Sequence, residues 1–158
     1  AEDGIRDHCV TGVQTCALPI FDDKDYKGSH AGHICQASVS PTGVNLSDAK
    51  TGGFDLTGGL YDRKKENKLT DDEKKMLATK AKRFPTTISL QDWHTLVVRT
   101  KGNELSVLID GQLVGTFASD GITHATKSLV SLTTNPVDVH YDDFSLKGTG
   151  AAPVAAKK

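Results

Sequence analysis

The residues best suited to chemistry in this chain are histidines. His30 and His33 lie three residues apart, just before a strand-like segment that contains Cys35. Imidazole and thiolate are common ligands of divalent metals, and His33 and Cys35 would share one face of a strand because side chains repeat every two residues. The spacing allows a divalent metal at His30 and His33, completed by a residue such as His124 or Asp62. The alternative is that these histidines are hydrogen-bonded or solvated, so the cofactor stays unknown.

Two histidines are also the candidate catalytic groups. His33 and His124 carry imidazoles, which exchange protons near neutral pH, and His124 falls in a loop-like segment of the kind that often holds ligands. We expect substrate contacts from Asp62 and Trp93. The Trp93 indole could stack on a sugar ring, although a tryptophan that opens a strand is more often a core residue. Cys35 has no activating neighbour in the sequence, so we expect a buried, inert thiol.

The elements that must position these residues are mostly strands. Apolar and polar residues alternate in short runs that turn signals separate, and Asp110-Gly111 is typical of a tight hairpin turn. This pattern predicts an all-β, antiparallel sandwich. The predicted strands cover residues 33–40, 44–48, 93–100, 104–110, 112–118, 127–134 and 137–147.

One segment predicts a helix instead. Thr70 and Glu73 fit a capping box, and helix-forming residues follow until Phe84-Pro85, so we predict an exposed helix near 70–82. The preceding residues 58–68 are charged and rich in glycine, which predicts a loop. The lysines of that loop could form a site for an anionic ligand, but a solvated loop is the more common outcome.

Residues 1–20 resemble the translation of a sequencing adapter. Back-translation of residues 1–7 and 10–20 gives the constant bases of an index-side adapter, and His8 and Cys9 fall on its variable index. We therefore expect three parts: an artefact at 1–20, a β-sandwich at 21–147 that lacks its first strands, and a flexible tail at 148–158.

Composition restricts the class of partner. The chain has 19 Lys and Arg against 20 Asp and Glu, and residues 1–20 hold one of the former and three of the latter. A nearly neutral chain without a basic stripe argues against nucleic acid as a partner. No run of about 18 apolar residues is present, so no membrane span is visible.

Three motifs resemble a known group of proteins. Trp93-His94, then residues 109–112 (Ile-Asp-Gly-Gln), then residues 141–144 (Tyr-Asp-Asp-Phe) are similar to concanavalin A-like, laminin-G-like jelly rolls. Among these, residues 22–147 look most like 3-keto-disaccharide hydrolase domains of secreted bacterial proteins. The resemblance implies an extracytoplasmic (periplasmic or secreted) saccharide-processing domain, truncated from a longer parent chain and inactive as a fragment. The alternative is a noncatalytic jelly-roll module that binds glycan or has a structural role in a larger secreted protein.

The resemblance also implies a specific chemistry. The chemistry would be elimination or hydration at an oxidised sugar. One residue would act as the acid and base, and a metal could stabilise the enolate. A laminarinase-type hydrolase would instead carry Glu-x-Asp-x-x-Glu on one strand. That string does not occur in the sequence, which argues against ordinary retaining-glycosidase chemistry.

Overall fold

The computed structural model describes residues 6–11, 17–90, 92–134 and 139–148. Within these residues there are ten strands: β1 Arg6–Thr11, β2 Ala17–Asp22, β3 His33–Ser40, β4 Gly43–Asp48, β5 Ala81–Pro85, β6 Thr95–Lys101, β7 Glu104–Ile109, β8 Gln112–Ala118, β9 Leu129–Thr134 and β10 Asp142–Gly148. They form two antiparallel sheets of five, in the orders β10-β1-β6-β7-β8 and β5-β4-β3-β2-β9. The prediction of an all-β, antiparallel jelly-roll sandwich is confirmed.

The core lies between the two sheets and follows the period of two. Along β7, Leu105 and Val107 are fully buried and the residues between them are partly exposed. The facing sheet contributes Phe21 and Leu46, which are also fully buried. Alternate residues of each strand therefore point away from the core, and on β3 and β4 those outward residues are polar.

The strands that the sequence shows most clearly agree with the structure. The β3 and β8 bounds match the predicted segments, and β6 begins two residues later than predicted. Asp110 and Gly111 have φ values of 51° and 79°, so both central residues of the β7–β8 turn take the left-handed conformation that such hairpins require. The first two residues of the segment predicted at 137–147, and the predicted tail beyond Gly148, lie outside the described residues.

Helix α2, Asp71–Thr79, begins with the predicted capping box. The Thr70 hydroxyl accepts a hydrogen bond from the Glu73 N–H at 3.2 Å, and the Glu73 carboxylate accepts one from the Thr70 N–H at 2.9 Å. The helix ends three residues earlier than predicted because residues 81–85 pair with β4 as an edge strand.

The prediction of a loop over residues 58–68 is wrong in part, because Leu60–Lys65 forms helix α1. The Arg63 guanidinium binds the Glu73 carboxylate of α2, with its Nε 3.0 Å from Oε1. Leu60, the first residue of α1, is buried. These tertiary contacts favour a helix where the charged, glycine-rich composition favoured a loop.

Residues 6–11 and 17–22, most of them within the adapter-like segment, occupy interior positions of the two sheets. Strand β1 lies between β10 and β6, and β2 lies between β3 and β9. Ala17 and Phe21 are fully buried in the core. The positions at which the first strands were expected to be missing are therefore filled by these residues.

No helix in the described ranges is both long enough and apolar enough to cross a membrane.

Candidate functional site

A cavity of about 260 Å³ lies on the outer face of β3 and β4, below the two helices. It is outside the core because Gln36, Asn45 and Ser47 alternate along their strands with the buried residues. Its polar wall is formed by the strand side chains of Gln36, Asn45 and Ser47, and its other walls include Phe54, Leu77 and Lys80. We call this space the polar cavity.

The polar wall carries an unused hydrogen-bonding group. The Ser47 hydroxyl is buried and has no hydrogen-bond partner among the residues that the structure describes. A buried hydroxyl without a partner costs free energy, and native proteins usually satisfy such groups with protein, water or ligand atoms. The polar cavity is therefore a place where a polar ligand would gain a hydrogen bond.

Asp48 closes the end of the polar cavity and joins the two sheets. Its carboxylate is buried and accepts hydrogen bonds from the Thr51 N–H at 2.9 Å, the Ser119 hydroxyl at 2.6 Å and the Gly121 N–H at 3.0 Å. Residue 121 must be glycine here, because a Cβ atom would overlap the Asp48 carboxylate. The oxygens of Asp48 are thus occupied by the protein itself.

Two lysines bring positive charge to the polar cavity. The Lys80 ammonium lies 3.8 Å from the Asp48 carboxylate and donates to the Thr51 hydroxyl at 2.8 Å. The Lys64 ammonium lies 5.3 Å from the centre of the Phe54 ring and 3.4 Å from the Gly53 carbonyl oxygen. Lys80 is therefore paired with a carboxylate, and among the described residues the Lys64 ammonium contacts an aromatic ring and a backbone oxygen but no carboxylate.

An aromatic group extends the site from the polar cavity towards the predicted histidines. The His33 ring meets the Phe54 ring edge-on, with centres 4.9 Å apart, and the His30 ring stacks on Tyr61 at 4.7 Å. The centres of the two imidazoles are 6.0 Å apart. We call these four residues, His30, His33, Phe54 and Tyr61, the histidine rim; it shares Phe54 with the polar cavity.

The two predicted catalytic histidines each pair with an aspartate. His33 Nδ1 lies 2.6 Å from Asp22 Oδ1, and His124 Nε2 lies 2.9 Å from Asp23 Oδ2. The backbone N–H of Asp25, followed by the His124 imidazole, lowers the pKa of the Asp23 carboxyl. Because Asp22 and Asp23 are consecutive, the structure brings both imidazole–carboxylate pairs to the same end of the sandwich. Such a pairing fixes the orientation of the imidazole ring.

The predicted metal ligands are only partly brought together. His30 and His33 are close, but Cys35 is buried on the core side, where burial raises the pKa of its thiol to about 12. The expectation of an inert thiol agrees with this placement. Across the described ranges, no three His, Cys, Asp or Glu side chains converge as a metal site would require. A metal at His30 and His33 stays a prediction.

The two predicted substrate contacts lie apart from each other. Asp62 is exposed in the first turn of α1. Trp93 is 62% exposed, so it is not the core residue that strand-opening tryptophans usually are. Trp93 precedes the first residue of β6, and Asn103 follows the last. The Asn103 carbonyl accepts a hydrogen bond from the Ser119 N–H, and the Ser119 hydroxyl binds Asp48, so this far end of β6 lies near Asp48. The seven residues of β6, about 23 Å of strand, separate Trp93 from the histidine end.

Sequence reasoning missed most of the polar cavity. Gln36, Asn45 and Ser47 are ordinary strand residues, and Phe54 and Lys80 lie in loops without a motif. A signal was present in β3 and β4, where the outward positions are uniformly polar. A fully solvated sheet face gives the same pattern, so only the helices that cover this face distinguish a cavity from a surface.

No family model matches the chain, and no curated protein matches it at a significant level. Solved structures do resemble it. Sheep galectin-11 in complex with glycerol is 11% identical, with 90% of each chain covered and a TM-score of 0.56. The galectin LEC-6 of Caenorhabditis elegans is 12% identical, with 92% of this chain and 84% of that chain covered and a TM-score of 0.54.

An enzyme also shares the fold. Alginate lyase AlyC3 in complex with dimannuronate is 11% identical, with 95% of this chain and 66% of that chain covered and a TM-score of 0.57. At these identities the comparisons show the fold alone: the chain is a jelly-roll β-sandwich of the kind found in galectins and in this lyase.

Proposed function

We propose that this domain binds a saccharide in the polar cavity. The observation that carries the proposal is the outward face of β3 and β4, where Gln36, Asn45 and the unsatisfied Ser47 hydroxyl lie beside the Phe54 ring. A sugar offers hydroxyls to such polar groups and a C–H face to an aromatic ring, and binding sites combine these two features. Two galectins and an alginate lyase share the fold, and the lyase was solved in complex with the saccharide dimannuronate, which supports this choice of ligand.

The size of the polar cavity restricts the ligand. Its volume of about 260 Å³ is just below the range of small-molecule sites, which starts at about 300 Å³. We expect one sugar unit to be enclosed, with further units of an oligosaccharide running over the histidine rim. The domain would then act as a glycan-binding module, extracytoplasmic and part of a longer parent protein.

The binding test uses two aromatic residues as controls for each other. We expect Phe54→Leu to abolish retention of the chain on a glycan that it binds in an array, and Trp93→Leu to leave retention unchanged. Phe54 lines the polar cavity, and Trp93 lies at the opposite end of the sandwich. The reverse result would place the sugar at the predicted Trp93 platform and reject the polar cavity. Absence of binding to any glycan would reject the proposal.

A second candidate function is catalysis on a 3-keto-glycoside. The two imidazole–carboxylate pairs, His33 with Asp22 and His124 with Asp23, favour it because acid/base chemistry needs oriented imidazoles. One imidazole would remove the proton at C2 of the 3-keto sugar as the C1–O bond breaks. The other would protonate the departing oxygen, and water would then add to the enone, so that the net reaction is hydrolysis.

The catalytic candidate has its own experiment. With divalent metal present, the chain should release the alcohol from a 3-keto-glucoside, and His33→Ala or His124→Ala should remove that release. His140→Ala is the matched control, because His140 is exposed and takes part in neither pair. Retained turnover in both variants would exclude these residues as catalytic. Binding without any turnover would leave the module as a lectin-like domain.

A further inference from the structure

We propose, building on the saccharide site above, that the sugar bound in the polar cavity carries a negative charge, as a carboxylate or a sulfate. Three charged residues line the cavity: Asp48, Lys64 and Lys80. The charges of two of them compensate each other. The third, Lys64, is left for a ligand.

The pairing of Asp48 and Lys80 is internal to the protein. The Asp48 carboxylate is fully buried, accepts from Thr51, Ser119 and Gly121, and lies 3.8 Å from the Lys80 ammonium. A carboxylate with this many donors has no capacity for sugar hydroxyls. The polar cavity therefore lacks the free anionic acceptor with which a site can bind the hydroxyl donors of a neutral sugar.

Lys64 is in a different situation. Within the described part of the chain, no carboxylate lies within 4.0 Å of its ammonium, whose contacts are the Gly53 carbonyl and the Phe54 ring. The neighbouring Arg63, in contrast, binds both Glu73 and the Gly58 carbonyl. An ammonium held over an aromatic ring at the wall of a cavity is placed to meet an anion on a sugar that stacks against that ring.

The remaining wall is compatible with an anion. The Gln36 and Asn45 amides and the Ser47 hydroxyl can all donate hydrogen bonds, and the Ser47 hydroxyl has no partner in the described residues. Lysine acts as a point charge and does not require the planar geometry of a carboxylate, so it would accept a sulfate equally well. In the sequence, Lys64 is one of several lysines in the charged segment 58–68, and in the structure it lines the polar cavity.

The test compares matched sugars by isothermal titration calorimetry with the full chain. The probes are a trigalacturonate, its carboxyl-reduced neutral counterpart and a sulfated galactose disaccharide. We expect an acidic probe to bind about fivefold more tightly than the neutral one, the difference that one partly exposed ion pair produces. Salt should weaken the acidic complex and leave the neutral one unchanged. The better acidic probe identifies the charged group.

The variant that tests the mechanism is Lys64→Met. Methionine keeps the helix and the apolar stem, so the variant should fold, as its melting temperature would verify. It should lose the preference for the acidic probe and still bind the neutral one. Lys65→Met is the matched control, because Lys65 lies next in α1 and does not line the polar cavity.

The outcomes separate this inference from the proposed function. Equal affinity for acidic and neutral probes, or an acidic preference that survives in Lys64→Met, overturns the inference and leaves saccharide binding in place. Failure of every saccharide probe to bind overturns both.

Discussion

Replacing Asp48 is the most informative perturbation of the fold, because this carboxylate connects the two sheets at the end that carries the site. It accepts from the Thr51 N–H and hydroxyl on its own loop, and from Ser119 and Gly121 in the segment that follows β8. The Lys80 ammonium lies 3.8 Å away. Removing the carboxylate leaves these donors and this cation without their partner.

The stability lost on replacing Asp48 is the balance of favourable electrostatic contacts and the cost of burying the carboxylate. At an effective dielectric constant near 20, two charges 3.8 Å apart attract by about 4 kcal/mol. Each hydrogen bond to the carboxylate adds about 1.5 to 3 kcal/mol, but the cost of desolvating a fully buried carboxylate offsets much of the sum. Breaking a buried pair by removing one partner typically costs about 3 to 5 kcal/mol. We expect Asp48→Ala to lie in that range, and Asp48→Asn to cost about 2 kcal/mol because an amide oxygen can still accept.

The assay is urea unfolding followed by far-UV circular dichroism, since Trp93 is exposed and its fluorescence reports little on folding. A loss of about 4 kcal/mol corresponds to a fall of roughly 10 °C in melting temperature for a chain of this size. Asp71→Ala is the control, because Asp71 is exposed and forms an ion pair with the exposed Lys74. An Asp48→Ala variant within about 1 kcal/mol of the parent, with an unchanged m-value, would refute the reasoning.

Three further predictions concern other parts of the fold. The Asp110 carboxylate lies 2.7 Å from the His94 imidazole. The carboxylate raises the pKa of His94, and the imidazole lowers the pKa of Asp110. The contribution of His94 to the free energy of unfolding is complete below its unfolded pKa of about 6.5 and is lost as the pH rises through its raised pKa in the folded state. The contribution of Asp110 is present above its unfolded pKa of about 4 and is lost as the pH falls through its lowered pKa in the folded state. Asp110→Asn should therefore reduce the free energy of unfolding more at pH 5.5 than at pH 8.5, measured in urea. Gly115→Ala should cost about 1 to 3 kcal/mol in the same measurement, because the new methyl group would overlap the Phe84 ring. Deleting residues 1–20 should yield an aggregating product in size-exclusion chromatography, because it removes strands from the middle of both sheets and exposes their edges.

An equal effect of Asp110→Asn at both pH values would show that the ion pair with His94 contributes nothing. For Gly115→Ala, adding Phe84→Ala should recover part of the loss, and an unchanged urea midpoint in the single variant would deny the close contact. A monomeric, cooperatively melting product after deletion of residues 1–20 would mean that these residues are not needed for the sandwich.

The sequence by itself determined the elements whose signals are local. The Asp110-Gly111 turn, the capping box at Thr70 and Glu73, and the alternation along β3 and β7 each depend on a few adjacent residues, and all appear where they were expected. The inert character of Cys35 also followed from its sequence context. Such features are readable because backbone geometry and side-chain period restrict them within one turn or one strand.

Only the tertiary structure decided how distant residues meet. The pairing of His33 with Asp22 and of His124 with Asp23 depends on which strands become neighbours, as does the carboxylate of Asp48 beside Lys80. Helix α1 and the polar cavity below it likewise depend on contacts between segments far apart in the chain. The sequence therefore determined the candidate histidines. The strand order decided which aspartates they pair with, and the covering helices turned a polar sheet face into a cavity. These arrangements arise from long-range packing, which no local pattern encodes.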